Sequence, residues 1–150
     1  MNTLNFDITI HAPRHQVWQA LIGPDTYPVW TAPFAEGSTF AGSWDEGASI
    51  RFLGPSGDGM LAVIAEHRPA EFISICHVGM IDQGVEDTTS EKVRAWTPAY
   101  ENYRFTDVPG GCRVDVSLDT VADYEQYMRD TFPKALAELK RVCERPAAGA

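Results

Sequence analysis

The 150 residues carry 12 basic and 21 acidic side chains, a formal net charge of -9, and so lack the basic excess that nucleic acids and anionic membranes call for. A hydrophobic content of 44% with 22% charged residues is that of a globular chain with one sizeable core. No apolar run approaches the ~20 residues needed to span a bilayer, so membrane insertion is excluded as well.

The N-terminal stretch Met1–Asp7 has neither a basic region nor an apolar one of the kind a secretory leader carries, and a cytoplasmic location is expected. The cysteines Cys76, Cys112 and Cys143 fit neither a disulfide framework nor a zinc pattern. They read as buried small apolar residues.

Leu4–Ile10 alternates strictly, with Leu4, Phe6, Ile8 and Ile10 on one face, and predicts a half-buried strand. Pro13 then opens a helix whose buried stripe is Val17, Trp18, Leu21 and Ile22. Gly23 is expected as a left-handed cap and Pro24 as the stop. A short second helix is expected at about Asp25–Trp30. Thr31–Gly47 has no clean period and predicts a loop that still buries Phe34, Phe40 and Trp44.

Strands are expected at Ala48–Leu53, Met60–Glu66, Glu71–Gly79, Ala99–Thr106 and Cys112–Leu118, joined by turn-rich connections such as Gly54–Gly59. One longer loop, Asp82–Pro98, holds Trp96 and the acidic cluster Asp82, Glu86, Asp87 and Glu91. The last long stretch, Asp123–Arg145, places Tyr124, Met128, Thr131, Phe132, Ala135, Leu139 and Val142 on one helical face. Asp123 is the expected N-cap with Gln126 as capping-box partner. Pro133 should kink this helix or split it in two. Residues 1–145 form one expected domain, followed by a frayed tail at 146–150.

Strands grouped together with helices outside the run imply an α+β fold. A curved antiparallel sheet of about six strands would wrap around the long C-terminal helix, with two short helices after the first strand.

Several motifs carry a family likeness: Ile8-Thr9-Ile10-His11-Ala12-Pro13, Val17-Trp18-Gln19-Ala20-Leu21, Gly42-Ser43-Trp44-Asp45-Glu46-Gly47, Tyr100-Glu101-Asn102-Tyr103 and Phe132-Pro133-Lys134-Ala135-Leu136. Together with Trp30 they resemble the SRPBCC or START-like superfamily, whose helix-grip fold is shared with the major birch pollen allergen. Within it the chain is most similar to the Aha-type group, the activators of the heat-shock-protein ATPase. The resemblance runs from Phe6 to Cys143. It implies a cavity between the long helix and the sheet, which holds an apolar ligand in many members. It carries no single activity, because the superfamily includes lipid carriers, polyketide cyclases, dioxygenase subunits and co-chaperone domains.

His77 shares a strand face with Ile73 and Ile75 and is the one candidate for chemistry, as a polar group in an apolar wall. Tyr100, Asn102 and Arg104 share one face of a later strand, and Glu101, Tyr103 and Phe105 the other. The periodicity does not say which face points inward. Ligand contacts are expected from Trp30, Phe34, Trp44, Phe52, Ile75, His77, Trp96, Tyr100, Asn102, Tyr124, Tyr127, Met128 and Phe132, because large rigid rings suit the walls of an apolar pocket. If there is a cavity, it should lie beneath the half of the long helix before Pro133. His11 and His15 are four apart, but Pro13 makes the first strand-like, and neither metal nor cofactor is expected. The reading that results is a carrier or sensor of an apolar or amphipathic small molecule. An enzyme of the cyclase or hydrolase sort and a co-chaperone-like interaction module are the alternatives, and a homodimer is left open.

Overall fold

The computed structural model describes residues 1–145; the frayed tail expected at 146–150 lies outside them. The order of elements is β1 (Asn2–Ile10), α1 (Arg14–Ile22), α2 (Tyr27–Trp30), β2 (Thr39–Gly42), β3 (Ser49–Leu53), β4 (Gly59–Arg68) and β5 (Phe72–Asp82). There follow β6 (Val85–Asp87), α3 (Glu91–Arg94), β7 (Ala99–Val108), β8 (Gly111–Thr120) and α4 (Ala122–Glu144).

The strands form one open antiparallel sheet in the order β1-β8-β7-β5-β4-β3-β2, with β6 paired to the end of β5. It has eight strands rather than about six. Of the two unforeseen ones, β2 falls in the stretch expected to be a loop. Its four residues end in Gly42, and strand periodicity is unreadable over so short a run. β6 follows a two-residue turn in which Gln83 and Gly84 both have positive φ, 50° and 78°. Positive φ at both positions is the type I′ form of a two-residue hairpin, and Gln83 adopts it without the Asn or Asp that would have marked the turn.

The alternation of β1 is realised, with Leu4 and Ile10 at 2% and 0% exposure. Its full length pairs with β8, from Asn2 opposite Thr120 to Ile10 opposite Cys112. On β7 the inward face is that of Tyr103 and Phe105, both buried, and not that of Tyr100 and Arg104, both exposed.

Helix α4 packs against β1, α1 and α2. Its buried residues are Thr131, Phe132, Ala135, Leu136, Leu139 and Cys143. Each fully buried leucine contributes about 1.5–3 kcal/mol through removal of apolar surface from water. Pro133 sits on the exposed side of a single continuous helix and does not split it. The helix begins one residue before the expected cap. Val121 is the cap, with no side-chain hydrogen bond. Asp123 lies instead in the first turn, where its charge favours the positive end of the helix dipole, and Gln126 Nε2 donates to Asp130 Oδ1 at 2.9 Å.

Gly23 is likewise not left-handed. Its φ is -68° and its ψ 142°. What excludes a side chain there is crowding: a Cβ would lie 2.6 Å from Gln19 O and 2.8 Å from Thr26 Oγ1. Thr26 Oγ1 donates to Ala20 O at 2.6 Å and so takes up a carbonyl that the end of α1 leaves unpaired.

Candidate functional site

Between the first half of α4 and the sheet lies a cavity of about 430 Å³, within the roughly 300–1,000 Å³ usual for small-molecule sites. Tyr127, Met128 and Phe132 of α4 form one wall. Ile75 and His77 of β5, Glu101 and Tyr103 of β7 and Leu118 of β8 form the floor. The remaining walls come from Tyr27, Trp30, Thr31 and Phe34, from Trp44 in the β2–β3 connection, and from Phe52 and Met60 of the β3–β4 hairpin.

The two halves of α4 explain why the space is hollow here. Beyond Pro133 the helix presents Ala135, Leu136 and Leu139, at 0%, 1% and 0% exposure, small and branched groups that close on their surroundings. Before it, Met128 is half-buried and Tyr127 is 44% exposed. The rings opposite brace one another. Tyr27 meets Trp30, Phe40, Trp44 and Phe52 with centroids 5.3 to 6.3 Å apart, the spacing of favourable edge and tilted contacts. Phe34 meets Phe132 at 5.1 Å and Tyr127 at 6.4 Å. The Tyr127 hydroxyl donates to Phe34 O at 2.9 Å, tying α4 to the segment after α2. Rigid rings held edge to edge cannot fold inward to fill the space.

The polar floor is a chain of three groups. His77 is 5% exposed, and its Nε2 lies 2.9 Å from Glu101 Oε1. The Tyr103 hydroxyl donates to the other carboxylate oxygen, Oε2. Burial pushes the Glu101 carboxyl up, but the hydrogen bond and charge of His77 and the bond from Tyr103 outweigh it, and its pKa lies below the ordinary glutamate value. Glu101 is therefore an acceptor on both oxygens, and His77 donates through Nε2–H. Burial first, then the Glu101 charge, raises the Tyr27 and Tyr103 phenols, which stay neutral.

Two buried polar atoms of lining residues have no partner among the described residues: Trp44 Nε1 and His77 Nδ1. Phe52 lies between them, its ring 5.6 Å from that of Trp44 and 5.8 Å from that of His77. The backbone on either side of the indole is fixed. His67 Nδ1 donates to Trp44 O at 2.6 Å, and the Asp45 amide donates to Ser43 Oγ at 3.0 Å. By contrast, Trp30 Nε1 donates to Leu21 O at 3.0 Å and is satisfied.

Of the residues expected to line the pocket, Trp30, Phe34, Trp44, Phe52, Ile75, His77, Tyr127, Met128 and Phe132 come together around this one space. Four do not. Tyr100 is 40% exposed on the outer face of the sheet, opposite Cys76. Asn102 lines a separate shallow groove on that face with Asn5, Arg104 and Ser117. Tyr124 is 60% exposed at the start of α4, and Trp96 follows α3, outside the lining. Tyr27, Glu101 and Tyr103 were not expected as contacts. The alternation of β7 had put Glu101 and Tyr103 on one face, and the buried Phe105 two residues on was the signal that this face points inward.

No family model matches the chain, and no curated protein is similar to it in sequence. Solved structures are similar in fold. The Aha1 dimer from Colwellia psychrerythraea has a TM-score of 0.75 at 17% identity, over 99% of this chain and 100% of that one. Protein MLL2253 from Mesorhizobium loti has a TM-score of 0.72 at 13% identity, over 96% and 98% of the two chains. Protein CV1439 from Chromobacterium violaceum has a TM-score of 0.70 at 17% identity, over 97% and 99%. At these identities the likeness concerns architecture alone: the protein shares the helix-grip fold of these structures, the Aha1 dimer among them.

Proposed function

We propose that the protein binds a hydrophobic or amphipathic small molecule in this cavity, as a carrier or sensor. The observation that carries the reading is the cavity of about 430 Å³ walled by aromatic rings beneath the first half of α4. A well-packed interior leaves few voids larger than a water molecule, so a space this large in so small a chain is a ligand site by default. The free thiols Cys76, Cys112 and Cys143 agree with a reducing cytoplasm as the place of action. Native mass spectrometry after gentle purification tests the reading. A bound small molecule of defined mass, released on denaturation, is the expected result. Bare protein that also takes up no added apolar compound would argue against it.

One observation favours a second reading, that of an enzyme. His77 held by a carboxylate through Nε2 has the arrangement of an oriented acid–base imidazole. Turnover of an identified ligand that vanishes in His77→Ala would select this reading over a carrier. The Colwellia structure is of a dimer, and we include a homodimer in the proposal. Sedimentation equilibrium giving the mass of two chains would support it, and a single-chain mass at all concentrations would exclude it.

A further inference from the structure

We infer that the ligand carries an alcohol or phenol hydroxyl, received in the cavity between the Glu101 carboxylate and the Tyr27 hydroxyl. The inference rests on the ligand-binding reading above and names the polar group of that ligand. Its ground is the polar surface that reaches the cavity. Trp44 Nε1 and His77 Nδ1 are sealed from it. Glu101 is not. It lines the cavity from the inward face of β7, and 20% of its side chain stays accessible, against 7% of that of His77. Each of its oxygens accepts one bond, from His77 and from Tyr103. An ionised carboxylate offers about four lone-pair positions, so about two remain for a partner in the cavity. A carboxylate only accepts, so that partner must donate.

Tyr27 supplies the complement. Its ring meets Phe52, which meets His77, at 6.0 and 5.8 Å, and meets Trp30, which meets Tyr103, at 5.7 and 6.3 Å. It thus stands one ring away from both partners of Glu101. The lining hydroxyls of Thr31, Ser38 and Tyr127 are committed to the backbone carbonyls of Tyr27, Ala35 and Phe34. The Tyr27 hydroxyl has no partner among the described residues, yet it is not one of the sealed atoms. Burial and then the Glu101 charge raise its pKa, so the surface it keeps is interior, within reach of that carboxylate, and the phenol keeps its proton to donate. A group that donates to Glu101 while accepting from Tyr27 is a hydroxyl. A ketone, an ether or a carboxylate only accepts and leaves Glu101 unmet; an ammonium only donates and leaves the Tyr27 proton unmet. Net charge does not make the choice, because a protonated His77 would balance Glu101. In either state His77 offers a ligand no proton, since Nε2–H is committed to Glu101 and Nδ1 is sealed. The walls are otherwise mostly rings and aliphatic groups, so the class is that of hydrophobic alcohols and phenols.

The test is calorimetric titration of the full chain at neutral pH with five compounds on one frame: 2-naphthol, 2-methoxynaphthalene, 2-methylnaphthalene, 2-naphthylmethylamine and 2-naphthoate. The naphthol should bind tightest, about tenfold or more tighter than its methyl ether, the yield of a hydrogen bond to a charged group. Tyr27→Phe removes a hydroxyl that holds nothing in the protein, so the variant should fold. It should weaken the naphthol about fivefold, the yield of one neutral hydrogen bond, and leave 2-methylnaphthalene unchanged. In Glu101→Gln the lead of the naphthol over the ether should shrink about fivefold, as a charged acceptor becomes a neutral one. A naphthol that binds no tighter than the ether, or that Tyr27→Phe does not weaken, would overturn the inference while leaving the pocket reading in place. Tightest binding of the amine or of the naphthoate would overturn it too, since the site would then select on the charge of Glu101 or of His77. Failure of all five to bind would remove the pocket reading itself. The comparison among compounds uses the unaltered protein, so it stands even if Glu101→Gln fails to fold.

Discussion

At the scale of residues, the site turns on Glu101. It accepts from His77 and Tyr103 together, and its removal would leave two buried donors unpaired. Glu101→Gln should cost about 1–3 kcal/mol of stability, the penalty for breaking charge-assisted bonds in a desolvated place; denaturant unfolding of both proteins measures it. The pH dependence follows from the same carboxylate. Its pKa is depressed in the folded protein. Its stabilisation is therefore present above the unfolded value of roughly 4.3 and is lost as the pH falls through the folded value. The unfolding free energy should fall between about pH 7 and pH 3.5 by more in the unaltered protein than in Glu101→Gln. Equal slopes would mean that Glu101 titrates alike in both states. The residues of this cluster were only half legible in the sequence. His77 stood out as a polar group in a run of isoleucines. Glu101 and Tyr103 could be assigned to one face by alternation, and only the apolar Phe105 beside them signalled that this face is the inner one. Tyr100 and Asn102 were on the wrong one.

At the scale of elements, α4 divides at Pro133 into a cavity wall and a core. Leu136 is 1% exposed, and Leu136→Ala should cost about 2–5 kcal/mol, as a core truncation does. Met128 borders a space already empty and is half-buried, so Met128→Ala should cost less than half as much. Equal losses in thermal or chemical unfolding would mean that the first half is packed like the second. Pro133 lies on the exposed side of an unbroken helix. Pro133→Ala should restore a backbone bond and raise stability by about 1–3 kcal/mol; a loss would show that the proline's bend is needed. The long amphipathic stripe, the alternation of β1 and the turn-rich connections were readable because each repeats a period over many residues. The short elements were not. β2 and α3 are four residues each and β6 is three, too short for a period, and the β5–β6 turn lacked its usual marker.

At the scale of the whole molecule, an open sheet and one long helix meet closely along the second half of α4 and stand apart along the first. The space is kept by aromatic bracing around Tyr27 and by the Tyr127–Phe34 tie. Sequence motifs pointed to this architecture across most of the chain, yet no periodicity reports whether a volume is filled. That depends on how side chains from α2, β3, β5, β7 and α4 meet in space.

The central claim is that this volume receives an apolar ligand. Its most direct test is titration with 1-N-phenylnaphthylamine, a neutral probe that fluoresces in apolar surroundings, of the unaltered protein and of Met128→Trp, which places a large ring in the cavity. The account predicts saturable binding at one site per chain, weakened at least about tenfold in a variant that remains folded, a loss of some 1.4 kcal/mol or more. Binding that is absent, non-saturable, or equally strong in Met128→Trp would contradict it.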